Sequence, residues 1–229
     1  KELMPEGFVD IHSHVLPGID DGSKNINESL DLISEMKKMG FSKIIGTPHT
    51  YSGVHNNTNK TIIKSYNSLK SKLNFEIKLG FASEYMLEKN LIEKAENKSI
   101  LCLSENYVLV EMSYSSMPIE VYDIIFKLNA NDYIPVLAHP ERYLYLQNDF
   151  NDYTRLKKYG CLFQINLLSA NGFYGPAVTK SLNYLIKKGL VDFVGSDFHK
   201  MRQINAMKNK IKVSTRDLEK VILKNNQFK

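Results

Sequence analysis

Five of the six histidines in this chain stand at or just past the ends of apolar, strand-like runs, and acids do the same. "DIHSH" holds His12 and His14, and "IDDG" follows with Asp20 and Asp21. His49 lies in "GTPH", His139 in "LAHPER" and His199 in "GSDFH", two residues after Asp197. Glu84 ends "GFASE" and Glu111 ends "YVLVE". Imidazoles and carboxylates without thiolates form a donor set for borderline-hard divalent cations such as Mn, Fe or Zn. Residues i and i+2 of a strand project to one side, so His12 and His14 would point together. Taken singly, each of these residues has an ordinary explanation: Asp20 and Asp21 as turn residues, a strand-end glutamate as a helix cap. Independent accidents explain poorly why so many recur at strand ends. The sixth histidine, His55 in "GVHNNTNK", reads as a solvent-exposed loop residue.

The elements that would position these groups follow from hydrophobic periodicity. Apolar, strand-like runs fall at 7–11, 43–47, 76–82, 107–111, 134–138, 162–167 and 192–196. Stretches of helical period separate them. Asn27 is a candidate cap for a helix to about Met39, stopped by Gly40, and Asn57 or Thr58 for one to about Leu73. Further helices are expected near 88–96, 119–129, 149–159 and 177–188. Two more fall in 200–225, with Ser214 or Thr215 capping the last. Seven βα units in succession imply an α/β fold with a parallel sheet covered by helices. Periodicity does not separate an open doubly wound sheet from a closed barrel. In either, the strand C-terminal ends open on one face, where His12, His14, His49, Glu84, Glu111, His139 and Asp197 would meet.

The 229 residues are read as one domain, 1–229, since no linker-like or low-complexity stretch interrupts them. Apolar residues make up 43% and charged residues 24%, an ordinary globular balance. The net charge of +5 comes from lysines scattered over helical stretches, with no dense basic stripe, so nucleic acid is not an expected partner. No apolar run reaches membrane-spanning length, and "KELMPEGF" lacks the apolar core of a signal peptide. The expectation is a cytoplasmic protein without membrane insertion. Cys102 and Cys161 sit in apolar context and read as buried thiols without a catalytic role.

The motifs "DIHSHVLPGIDDG", "TPH", a glutamate after each of strands three and four, "AHPERY" and "GSDFH" resemble the polymerase-and-histidinol-phosphatase (PHP) superfamily. Within it they are most similar to the manganese-dependent tyrosine-protein phosphatases of bacterial capsule and exopolysaccharide clusters. The resemblance runs from about Phe8 to His199. It implies a distorted (βα)7 TIM-like barrel, the PHP fold, and three divalent metal ions, most commonly Mn, with Fe, Zn or Mg as other options. One metal would take His12, His14, Glu84 and Asp197. A second would share Glu84 and add Glu111 and His139. The third would use Asp21, His49 and His199, with Asp20 as second choice for the aspartate. Histidinol phosphatases and polymerase-linked members tend to carry histidine where Asp21 stands.

Arg142 matches the family's phosphate-contacting arginine; its ordinary alternative is a salt bridge with Glu141. The implied reaction is in-line hydrolysis of phosphotyrosine by a metal-bridged hydroxide, without a covalent phospho-enzyme. The implied partner is a phosphotyrosine protein, by analogy the tail of a bacterial tyrosine autokinase. Rival readings are a small-molecule phosphomonoesterase such as a histidinol phosphatase and an inactive module that binds a phosphorylated tail. An exonuclease reading lacks a basic single-strand groove. Asp10 is placed to orient an imidazole, and Tyr51, Tyr85, Tyr114 and Tyr143 are candidates to line a slot for an aromatic leaving group. No site residue is assigned in "NLLSANGFYG".

Overall fold

The structure, a computed structural model, describes residues 6–207 and 209–229. Among the described residues nine strands appear where seven runs were expected: β1 Phe8–Ser13, β2 Phe41–Gly46, β3 His49–Thr50, β4 Lys78–Phe81, β5 Glu84–Met86, β6 Tyr107–Glu111, β7 Ile134–Ala138, β8 Leu162–Asn166 and β9 Phe193–Gly195. The two extra strands lie just past expected runs. β3 follows β2 after Thr47–Pro48, where proline has no N–H for a ladder, and β5 follows β4 after Ala82–Ser83.

Between the strands lie α1 Ile26–Lys38, α2 Asn59–Lys70, α3 Asn90–Glu96, α4 Val121–Ala130, α5 Leu144–Asn148, α6 Asn151–Lys158 and α7 Pro176–Lys187; α8 Met201–Ala206 and α9 Thr215–Lys224 follow β9. Their starts follow local chemistry. The Asn25 side chain accepts from the N–H of Glu28, two residues earlier than the cap expected at Asn27. Thr58 and Thr61 form a reciprocal capping box, and Ser214 accepts from Asp217. The helix expected over 149–159 is α6, and an unexpected short helix, α5, precedes it. Asp149 is extended (φ −134°, ψ 102°) and its carboxylate accepts from the N–H of Asn151, which restarts the helix. None of the helices among the described residues is long and apolar enough to cross a membrane.

All strand pairings are parallel, in two sheets ordered β1-β2-β4 and β3-β5-β6-β7-β8-β9. The sheets meet at both edges through isolated bonds. At one edge Ala82 N–H donates to Gly46 O (2.9 Å) and Glu84 N–H to Pro48 O (3.1 Å). At the other, Ser13 bridges Phe198, with His14 N–H to Phe198 O at 2.9 Å and Asp197 N–H to His12 O at 2.8 Å. The parallel α/β architecture is the expected one, but its hydrogen-bond ladder is discontinuous at these two seams. Asp10 strengthens the second seam: its buried carboxylate accepts from Ser196 N–H (2.8 Å) and Ser196 Oγ–H (2.6 Å).

Strand alternation divides the core. Val108 and Val110 of β6 and Leu137 of β7 pack outward under the helices, while Leu109, Val136 and Ala138 join Val9, Ile11, Ile45 and Phe193 in an inner cluster. A 3-10 turn, Asn225–Phe228, closes that cluster from below. Phe228 meets Tyr107 and Phe193 edge-on at 5.4 and 5.1 Å, and the Asn225 amide donates to Val9 O and Val194 O. The polar strand ends lie at the other end of this apolar plug.

Two side-chain fits near those ends are tight. Gly195 faces His12 and Gln164 so closely that a Cβ there would fall 2.6 Å from His12 Cβ and 2.7 Å from Gln164 Nε2. Gly195→Ala is therefore expected to destabilise the fold by about 1–3 kcal/mol through overpacking, measured by urea unfolding. Glu141, in the 3-10 turn Pro140–Arg142, is fully buried. Its Oε1 accepts from Asn166 N–H (2.9 Å) and Ser169 Oγ–H (2.6 Å), while Oε2 has no hydrogen-bond partner. Burial pushes this carboxyl up to about 7. A carboxyl raised on folding contributes most below its unfolded value, and that contribution is lost as pH rises through the folded one. Glu141→Gln keeps an acceptor for both bonds and has no charge to bury. Its unfolding free energy is expected to gain on that of the unaltered protein as pH rises from about 4.5 to about 7, then hold a constant difference; parallel urea titrations across that range check it.

Candidate metal centre

The strand ends bring the sequence-selected residues into one cluster. His12 Nε2 and His14 Nε2 lie 3.2 Å apart. The Glu84 carboxylate sits among four imidazoles: Oε1 is 3.3 Å from His12 Nε2 and 3.3 Å from His139 Nε2, and Oε2 is 3.5 Å from His14 Nε2 and 3.0 Å from His49 Nδ1. Asp197 Oδ1 lies 3.4 Å from both His12 Nε2 and His14 Nε2 and 3.5 Å from His199 Nδ1. Glu111 Oε1 is 2.8 Å from His49 Nδ1. Asp21 Oδ1 bridges the outer edge, 3.5 Å from His49 Nε2 and 3.4 Å from His199 Nε2. Four overlapping donor groups result: His14, Asp21, His49 and His199; His12, His14 and Glu84; His12, His139 and Asp197; His49, Glu84 and Glu111.

Two of these ligand candidates sit on left-handed backbone, His139 at φ 37° and Asp197 at φ 54°. Such non-glycine conformations cost roughly 1–3 kcal/mol each. Neighbouring strands hold them there: His139 N–H donates to Gln164 O (2.7 Å) and Asp197 N–H to His12 O.

The cluster fits divalent cations on its own chemistry. Both Glu84 oxygens are buried and accept no well-formed hydrogen bond; the imidazole nitrogens around them, His49 Nδ1 among them, meet the carboxylates only as close ion-pair contacts. A buried carboxylate needs positive charge beside it to offset the cost of burial. His12 Nδ1 is 2.6 Å from Gln164 Oε1, and His14 Nδ1 is 2.8 Å from Asp20 Oδ2. With both Nδ1 protons engaged on acceptors, the two Nε2 atoms face each other, an arrangement that calls for a proton or a metal cation between them. The electrostatics agree. Burial opposes the imidazolium at His12, yet Glu84 and Asp197 raise it above its usual value. Burial also opposes ionisation of Glu84, but His12 and His49 hold that carboxyl well below the ordinary range. Burial pushes His139 down to about 4, which keeps it a neutral donor.

Asp20 and Asp21 separate cleanly. Asp20 is turned inward to His14 Nδ1, Gly22 N–H (3.0 Å) and His49 N–H (3.2 Å), which makes it an orienting group; Asp21 is the aspartate in the donor set. Arg142 NH1 donates to Asp197 Oδ2 at 2.7 Å, and its guanidinium lies 4.2 Å from the Tyr174 ring centre and 5.0 Å from that of Tyr114. The alternative pairing with Glu141 is not made, because Glu141 turns to Asn166 and Ser169. Above the cluster opens a cavity of about 370 Å³, lined by the buried Glu111, His139 and Asp197, by Arg142, His199 and the exposed Asp21, and by Tyr114, Phe173, Tyr174, Lys200 and Arg202.

Several expectations change. Asp10 meets Ser196 and no imidazole, since the register of β1 against β2 shifts between Asp10 and Ser13 and breaks the simple alternation. Among the four tyrosines considered, Tyr114 lines the cavity and stacks on His139 at 5.7 Å. The Tyr143 hydroxyl accepts from Met112 N–H and that of Tyr85 from Leu101 N–H, while Tyr51 pairs its backbone with His55. His55 is half-buried, its ring stacked 5.3 Å from that of His49. The thiols are poor nucleophiles, pushed by burial up to about 11 at Cys102 and about 12 at Cys161.

Other residues with contacts at the site escaped sequence reasoning, among them Phe173, Tyr174, Gln164 and Asn166. The first two lie in "NLLSANGFYG", where an aromatic pair set between glycines after a strand end was the available signal. The other two were legible as amides at alternate positions of an otherwise apolar strand.

Comparison with known proteins places this geometry. In sequence the chain is 31% identical over 198 residues to the Staphylococcus aureus protein CapC, covering 84% of this chain and 77% of that one. It is 26% identical over 202 residues to the tyrosine-protein phosphatase YwqE of Bacillus subtilis, covering 86% and 80%. In structure it superposes with a TM-score of 0.82 and 25% identity, over 94% of this chain and 86% of the other, on a chain from the crystal structures of YwqE from Bacillus subtilis and CpsB from Streptococcus pneumoniae, described as unique metal-dependent tyrosine phosphatases. A lactonase from Listeria monocytogenes, 12% identical at a TM-score of 0.57, shares the fold alone. The family model for capsular polysaccharide synthesis, CpsB/CapC, matches residues 8–226, and the chain belongs to that family.

Proposed function

We propose that this protein is a metal-dependent protein-tyrosine phosphatase. The observation that carries the reading is the Glu84 carboxylate, fully buried among four imidazoles beside a cavity lined by His49, His139 and Arg142. His12, His14, Glu84 and Asp197 would hold one cation; Glu84, Glu111 and His139 a second; Asp21, His49 and His199 a third, with manganese the preferred ion. Bound divalent cations would offset phosphoryl charge and make water a nucleophile near neutral pH.

The chain's own residues do the rest. Asp20 and Gln164 hold the Nδ1 protons of His14 and His12, leaving Nε2 of each free for a cation. Asp197 holds Arg142 at one terminal nitrogen, and the planar guanidinium keeps further donors for phosphoryl oxygens. Tyr114, Phe173 and Tyr174 wall the cavity with surfaces suited to a phenyl ring. Burial raises Tyr114 above the ordinary phenol value, so it stays protonated and can donate a hydrogen bond. The leaving phenolate, with a pKa of about 10, demands less protonation than an alkoxide would. High thiol pKa values support a route without a cysteinyl phosphate. Membership of a family named for capsular polysaccharide synthesis supports, as the natural substrate, the phosphotyrosine tail of a cytoplasmic, capsule-associated kinase.

Removal of metal with a chelator is expected to abolish phosphate release from a phosphotyrosyl peptide, and manganese to restore it. His139→Ala should lower that activity at least about 100-fold, whereas the Cys102→Ser, Cys161→Ser double variant should keep it. Full activity in metal-stripped protein or in the histidine variant contradicts the reading. Histidinol phosphate assayed side by side should turn over more slowly than the peptide; the reverse order would favour the small-molecule phosphomonoesterase.

A further inference from the structure

Gln164 and Asn166 occupy alternate positions of β8, and both are fully buried. Three hydrogen bonds join them head to tail between two members of the cluster. His12 Nδ1 meets Gln164 Oε1 at 2.6 Å, Gln164 Nε2 meets Asn166 Oδ1 at 3.0 Å, and Asn166 Nδ2 meets Asp197 Oδ2 at 2.6 Å. The direction of this chain of bonds is dictated by groups that can only accept. Gln164 Nε2 also donates to the backbone carbonyl of Ile165 (2.8 Å), so its oxygen must face His12. Asn166 faces a carboxylate at one end, so its nitrogen must lie there and its oxygen toward Gln164. His12 must then carry its proton on Nδ1.

From this geometry we infer that Gln164 and Asn166 are positioning residues: an amide relay that presents His12 through Nε2 and Asp197 through Oδ1 to the metal centre. Asp197 Oδ2 is taken by Asn166 and Arg142 together, which leaves Oδ1 to face His12, His14 and His199. The two ends of the relay face each other as lone-pair donors, His12 Nε2 lying 3.4 Å from Asp197 Oδ1. Bonds aligned in one direction polarise one another, and an acceptor on Nδ1–H makes the opposite nitrogen a better metal ligand. Gly195 leaves the room that the Gln164 amide occupies.

The inference rests on the metal-centre reading, and its test separates the two. Asn166→Asp and Gln164→Glu are isosteric and place an oxygen where the relay needs an N–H. Manganese affinity is read by titration of the free ion's electron paramagnetic resonance signal. Each variant is expected to bind manganese roughly 10–100-fold more weakly than the unaltered protein. The rise in melting temperature on manganese addition should shrink correspondingly, whereas a merely structural role would lower both melting temperatures together. Unchanged affinity in a folded variant overturns the relay and leaves the metal-centre reading standing. No manganese binding by the unaltered protein overturns that reading itself. Should a variant fail to fold, nitrogen-15 resonances of the histidines in the unaltered, zinc-loaded protein decide the matter. The relay requires His12 protonated at Nδ1, and a proton at Nε2 overturns it.

Discussion

The structure turns on a concentration of buried negative charge. Glu84, Glu111 and Asp197 are all buried, Asp21 stands at the rim, and the most deeply placed of them, Glu84, accepts no well-formed hydrogen bond. Such a cluster holds together only with positive charge inside it, whether protons on the surrounding imidazoles or cations between them. Much of the local architecture serves that requirement. Two ligand candidates are held on left-handed backbone by bonds from adjacent strands. Asp20 and Gln164 are occupied in turning imidazoles, and Arg142 pairs with the innermost aspartate.

The same requirement explains the division of the interior. Below the cluster the inner faces of the strands are apolar and sealed by Phe228. Above it the walls are aromatic and the rim cationic, with Lys200 and Arg202. Cationic and aromatic side chains thus line the same cavity.

The donor set is legible in the amino-acid order because each member carries a chemical side chain at the end of an apolar run. His12, His139 and Asp197 are far apart in the chain, and the parallel topology makes them neighbours. β6 and β7 were readable to the residue, since their β-branched runs are bounded by turn residues. Other features depend on information that a linear pattern lacks. The break between β2 and β3 comes from a proline whose neighbours across the sheet decide where pairing resumes. Asp10 misleads because a register shift in β1 cancels the alternation that would aim it at His12. Phe173 and Tyr174 reach the cavity through the 3-10 segment Leu167–Asn171 after β8, and nothing in their own types announces that path.

The seam between β1 and β9 has a further meaning for how the molecule assembles. Asn225 joins Val9 to Val194, so one side chain spans a sequence separation of 216 residues on one side and 31 on the other. Asp10 reaches Ser196 across 186 residues. Contacts of such range order nearly the whole intervening chain before they return any stabilisation, and they form slowly. The pocket at the strand ends therefore depends on contacts that tie the two ends of the chain together.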